Sequence, residues 1–155
     1  MDLQKRTLEY MEQVRRAGRI SIEEMNDPNY HPVLVMMLIM DPRYVVYLYT
    51  IPVSLLTYIL NARPELVDIV SDLIPLYIEL DIELFTELIK HAPTKNLFTY
   101  QHKLSKEYSD HLDEFDDYYG DMSTNKQLVL YDANIYEGFV EKLLVVIREI
   151  KRRQS

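Results

Sequence analysis

Apolar side chains recur at three- and four-residue spacing over most of the chain, and that rhythm predicts helices. Leu3, Thr7, Tyr10, Met11 and Val14 fall on one face of a helix over residues 2–17, and Gly18 is placed to stop it. Ser21-Ile22-Glu23-Glu24 is a capping-box pattern that opens a short turn, and Asn26-Asp27-Pro28-Asn29 reads as a loop. The clearest stripe lies over 97–119. Leu97, Gln101, Leu104, Tyr108, Leu112, Phe115 and Tyr119 form one narrow apolar line, Gly120 ends it, and the opposite face is almost wholly charged. A last helix over 133–152 is capped by Asp132. Its buried side is predicted at Ile135, Phe139, Leu143, Val146 or Ile147, and Ile150.

Other stretches are less decisive. Val33–Met40 is an uncharged run, and Tyr44–Leu60 is a charge-free run of seventeen residues; Asp41-Pro42-Arg43 separates them. Asp41 before Pro42 resembles an N-cap with proline at the first helical position. Yet Val45-Val46-Tyr47-Leu48-Tyr49-Thr50-Ile51 is β-branched and aromatic, which favours a strand. Helix is preferred because Pro42, Pro52, Pro64 and Pro75 each precede a stretch about one short helix long. Only the prolines recur, so the spacing does not define a solenoid. Leu76–Leu84 alternates as a half-buried strand would, but Phe85, Leu88 and Ile89 return to helical spacing. A helix capped by Asp81 and ending near His91, ahead of Pro93, accommodates both. Gln127–Tyr131 reads as a short strand or an extended linker.

The fold class expected is therefore mainly α. It is a compact helical bundle of about five to seven helices in one domain spanning 1–155, with 44–51 and 127–131 as candidate short strands. The helices containing Val33–Leu60 form its centre; those of 2–17, 65–90, 97–119 and 133–152 surround it.

Composition narrows the functional classes. The chain has 155 residues, 48% of them apolar, which is enough for a sizeable core and too many for a disordered protein. Zero cysteine excludes disulfides, thiolate zinc sites and cysteine nucleophiles together. Met1-Asp2-Leu3-Gln4-Lys5-Arg6 has no apolar signal region. Tyr44–Leu60 is at the lower limit for a membrane span and contains Thr50, Pro52, Ser54 and Thr57, so a buried core is expected instead. The formal charge of −8 disfavours direct nucleic-acid binding. Small basic clusters at Arg15, Arg16 and Arg19 and at Lys151-Arg152-Arg153 do not reverse that, since the last set sits where a helix end attracts cations.

The charge is unevenly placed. Residues 107–121 hold Glu107, Asp110, Asp113, Glu114, Asp116, Asp117 and Asp121 with no lysine or arginine, while 90–106 hold Lys90, Lys95, Lys103 and Lys106 with no acid. On a helix over 97–119, this order puts cations near the positive end of the backbone dipole and anions near the negative end. Asp113/Asp117 and Asp110/Glu114 add like-charge repulsion. A local rule broken repeatedly marks a place to look for function. The expected partner-binding residues are these seven acids with Tyr118 and Tyr119 as amphipathic anchors, and the expected partner is a protein with a basic surface. A solvated acidic face that only aids solubility explains the same charges.

Glu107, His111 and Glu114 share a face and could supply carboxylate and imidazole to a metal, but no other helix offers a second Glu-x-x-His, and no EF-hand loop is present. No cofactor and no metal site are expected. The histidines 31, 91, 102 and 111 fall in no His-Glu-x-x-His pattern, and three glycines leave no phosphate-cradling loop. The expected function is thus a non-enzymatic inhibitor or adaptor in the cytoplasm. A concrete version is a virus-encoded blocker of a nucleic-acid-handling defence complex, and an abundance of Tyr and Ile without Cys or Trp fits a small viral or thermophile protein. The alternative is an assembly subunit that oligomerises through 33–60; a metal-dependent enzyme comes third.

Overall fold

The computed structural model describes residues 2–74, 80–119 and 126–155, with the backbone alone at 108, 111–119, 126–137 and 139. The described residues are mainly α-helical, and no strand occurs among them. They fall into two compact units, Met1–Pro75 and Leu76–Ser155.

In the first unit, α1 (Leu3–Ala17) begins at Asp2, whose carboxylate accepts from the Gln4 N–H, and ends at Gly18 with φ 76°. That left-handed conformation is open to glycine at no steric cost. The expected stripe is the buried one: Thr7, Tyr10, Met11 and Val14. α2 (Ile22–Asn26) starts from Ser21, whose hydroxyl accepts from the Glu24 N–H at 3.2 Å. α3 (His31–Met40) is apolar on all sides and lies in the middle, packed on α1, α2 and α4 (Val53–Ala62). Leu34, Met37, Leu38, Leu55, Leu56 and Ile59 are fully buried there.

Residues 44–51 are neither α-helix nor strand. Asp41 caps a 3-10 helix over Pro42–Tyr47, and the chain is extended from Leu48. Two single backbone bonds replace a ladder: Ile20 N–H donates to Tyr47 O at 3.1 Å and Ile51 N–H to Leu73 O at 3.0 Å. Another 3-10 turn opens at Pro64 and leads into α5 (Val67–Val70).

Tyr10 is buried, its ring 5.4 Å from that of Tyr30, and its hydroxyl donates to Glu24. Burial, then the bond to Glu24, push the phenol well above its ordinary value. Its native pKa exceeds its unfolded one, so the stability it supplies is full below about pH 10 and is lost as the pH rises further. Tyr10→Phe should cost about 1–2 kcal/mol in urea unfolding at neutral pH and should reduce the alkaline loss of stability. An unchanged midpoint would contradict that role.

In the second unit, α6 (Ile82–His91) is capped by Asp81, whose carboxylate accepts from Leu84 N–H at 2.7 Å, and buries Phe85, Leu88 and Ile89. α7 (Thr94–Tyr119) begins directly after Pro93, and α8 runs from Lys126 to Gln154. The expected strand or linker at 127–131 is thus the first turn and a half of α8, which starts well before Asp132.

α8 packs on both α6 and α7, and its inward face is unexpectedly polar. Val146 and Ile150 are buried, Leu143 and Ile147 only half-buried, while Lys142 (4% exposed) and Glu149 (9%) are buried beside them. The Lys142 ammonium lies 5.7 Å from the Phe85 ring centroid, and burial pulls its pKa down. At the other end, the Arg153 guanidinium donates to the carbonyls of Ile89, Lys90 and Ala92 and to Thr94 Oγ1, at 2.7–3.2 Å. It therefore satisfies the orphan carbonyls of α6 and ties down the start of α7. Glu149 accepts from Arg152 and Arg153, and these bonds hold its carboxyl down at about 2.

Arg153→Ala should destabilise the chain by about 2–3 kcal/mol in urea unfolding, since several charge-assisted bonds go together. Glu149 is depressed in the native state, so its contribution is present above the usual carboxylate range and fades as the pH falls from there towards 2. The difference between wild type and Glu149→Gln should shrink over that same interval. A pH-independent difference would exclude the ion-pair account.

Candidate functional site

α7 is the element on which the acidic segment is built. It starts three residues before the predicted boundary, because Pro93 fixes the turn that precedes Thr94 and its carbonyl accepts from Asn96 and Leu97 N–H. Leu97, Tyr100 and Leu104 are buried and Gln101 is half-buried, so the inward side is the predicted stripe widened by Tyr100. Arg153 of α8 meets Thr94 at the start of α7, which makes the two long helices an antiparallel pair.

The outward side carries Lys95, Phe98, His102, Lys103 and Lys106, then Ser109 and Asp110, all exposed. Glu107 is half-buried at the margin of the packed face. Of the other predicted residues, Asp113, Glu114, Asp116, Asp117, Tyr118 and Tyr119 stand on helical backbone with side chains outside the described residues, and Asp121 lies outside them altogether. The single helix thus brings Glu107 and Asp110 to Tyr119 together on one continuous rod of backbone.

The first turn of α7 holds no acid and its last turn no base. Among the described residues, Glu107, Asp110, Lys95, Lys103 and Lys106 form no ion pair. The contrast with α8 is direct. There Lys151, Arg152 and Arg153 occupy the last turn, where the backbone is negative.

The remaining candidates have local explanations. His31 is buried, with Nε2 3.0 Å from Met25 O and its ring tilted on Tyr58 at 5.4 Å. His91 and His102 are exposed on α6 and α7. Among the described residues, no three His, Asp or Glu side chains converge as metal ligands, and no helix is long and apolar enough to cross a membrane. The polar inward face of α8 was missed by pattern reading. Lys142, Glu149 and Arg153 alternate with apolar residues as solvent-facing charges do, and only their partners on α6 distinguish them.

No protein-family model matches this chain, and neither a curated protein nor a solved structure is significantly similar to it. The function must be argued from the site itself.

If the charge order opposes the helix field, relieving it should stabilise the chain. Replacing Asp113, Asp116 and Asp117 with Asn and Glu114 with Gln should raise thermal stability by about 1 kcal/mol, or a few degrees in melting temperature. A fall in melting temperature would show that those carboxylates are already matched.

Proposed function

We propose that this chain is a non-enzymatic protein-interaction module that docks the acidic C-terminal half of α7 onto a basic partner surface. The observation that carries the reading is the charge order of α7: acids gathered where the helix backbone is already negative, with exposed Asp110 unmatched by any described lysine or arginine. Among the described residues nothing matches that order, whereas a basic partner would. Attraction between the two surfaces raises the association rate, and Tyr118 and Tyr119, adjacent to the carboxylates in sequence, are the apolar anchors this reading assigns. A surface that ordinarily holds phosphates is one type such carboxylates fit, because spaced negative charges meet the same lysines and arginines.

A second reading has its own observation. Leu34, Leu38, Leu55 and Ile59 within 33–60 are core, yet Val46 (75% exposed) and Tyr49 (62%) project from the segment between α3 and α4. Apolar side chains this exposed would serve an assembly contact that is indifferent to salt.

Capture of binding proteins on the immobilised chain, at low and high salt, separates the two. The docking reading expects basic proteins that elute as salt rises and are not retained by the chain neutralised at Asp113, Glu114, Asp116 and Asp117. Equal retention by wild-type and neutralised chains would refute it.

A further inference from the structure

The lysine half of α7 matters as much as the acidic half. Read along the outward side, Lys95, Lys103 and Lys106 precede Asp110, and the same three- and four-residue steps continue in the sequence to Asp113 and Asp117. Such a helix is complementary to itself when a second copy lies antiparallel to it.

We propose that the outward face of α7 docks a second copy of this chain about a two-fold axis, lysines of each helix against the carboxylates of the other. The inference rests on reading α7 as a docking face and names its partner. Three observations lead there. First, the charges are symmetric about Tyr108: Lys106 and Asp110 stand two residues to either side, Lys103 and Asp113 five to either side. One two-fold axis therefore forms each of these pairs twice. Second, the pairing gives Lys103, Lys106 and Asp110, which form no ion pair among the described residues, an opposite charge each on the partner. Third, the charged row is flanked by small side chains, since Thr99 and Ser109 are both exposed. The inward face is already occupied by α8, so the second copy meets the side left over.

The test is charge reversal in the full-length chain, read by sedimentation velocity. Wild type should sediment as a dimer at low salt and as a monomer at about 1 M salt, where screening is nearly complete. The variants K103E/K106E and D110K/D113K should each associate about tenfold or more weakly on their own, since like charges then face one another. Mixed in equal amounts they should form a heterodimer, because the four positions that pair across the axis are then all acidic in one chain and all basic in the other. The chain carrying all four reversals should dimerise by itself again, which guards against a variant that merely unfolds; circular dichroism checks that helicity is retained.

A wild-type chain that stays monomeric at low salt and high concentration overturns the proposal. So does association that survives salt and both reversals, which would place the contact elsewhere, or a mixture that fails to form the heterodimer. If the wild-type chain is monomeric yet the neutralised chain loses its basic binding proteins, the second copy is excluded and the docking reading stands. If both results fail, both fall.

Discussion

A helix has a direction, and its charged side chains either agree with it or oppose it. In α7 the lysines occupy the half where unpaired backbone N–H groups make the helix positive, and the carboxylates occupy the half where unpaired carbonyls make it negative. Each such term is a few tenths of a kcal/mol, and here they share one sign. The proposed docking, its salt dependence and its antiparallel geometry all depend on this opposition. An evenly acidic surface would carry none of them.

What holds α7 in place despite its charges is packing on the other side. Leu97, Tyr100 and Leu104 are buried, and α8 lies along the helix in the antiparallel sense. α8 is itself fixed to α6 by polar contacts at both ends, Lys142 over Phe85 and Arg153 on the closing carbonyls of α6. Glu149 also holds the Arg153 guanidinium, and its bonds to Arg152 first and Arg153 second explain why the carboxyl is so acidic. The inward faces thus supply stability and register, which leaves the outward face of α7 free of any structural duty among the described residues.

Much of this was legible before the structure, where side-chain pattern and backbone chemistry agree. Gly18 as a left-handed stop, Ser21 and Asp81 as caps, and the stripes of α1 and α7 follow from local rules. The readings that differ are those where tertiary context decides. Val45–Ile51 splits into a 3-10 helix and an extended stretch, since Asp41 and Pro42 set a tight turn and the next residues bond singly to distant backbone. Gln127–Tyr131 is helical because it belongs to a long rod packed on α7. Lys151–Arg153 were expected to serve their own helix dipole; Arg153 also closes α6, a relation no single-helix pattern contains. The unequal charge of α7 was visible in full, because charge order needs only the sequence and the direction of the helix.

The opposition between charge and backbone can be measured within one molecule by amide hydrogen exchange along the two long helices as salt is raised, at a concentration low enough to keep the chain monomeric. Salt weakens unfavourable and favourable surface electrostatics alike. Protection should therefore rise in the last turns of α7, whose charges oppose the field, and fall slightly in the last turns of α8, whose cations agree with it. Protection that falls in α7 as it does in α8 would mean that the carboxylates already have partners within the chain, and the reason to seek one outside it would be gone.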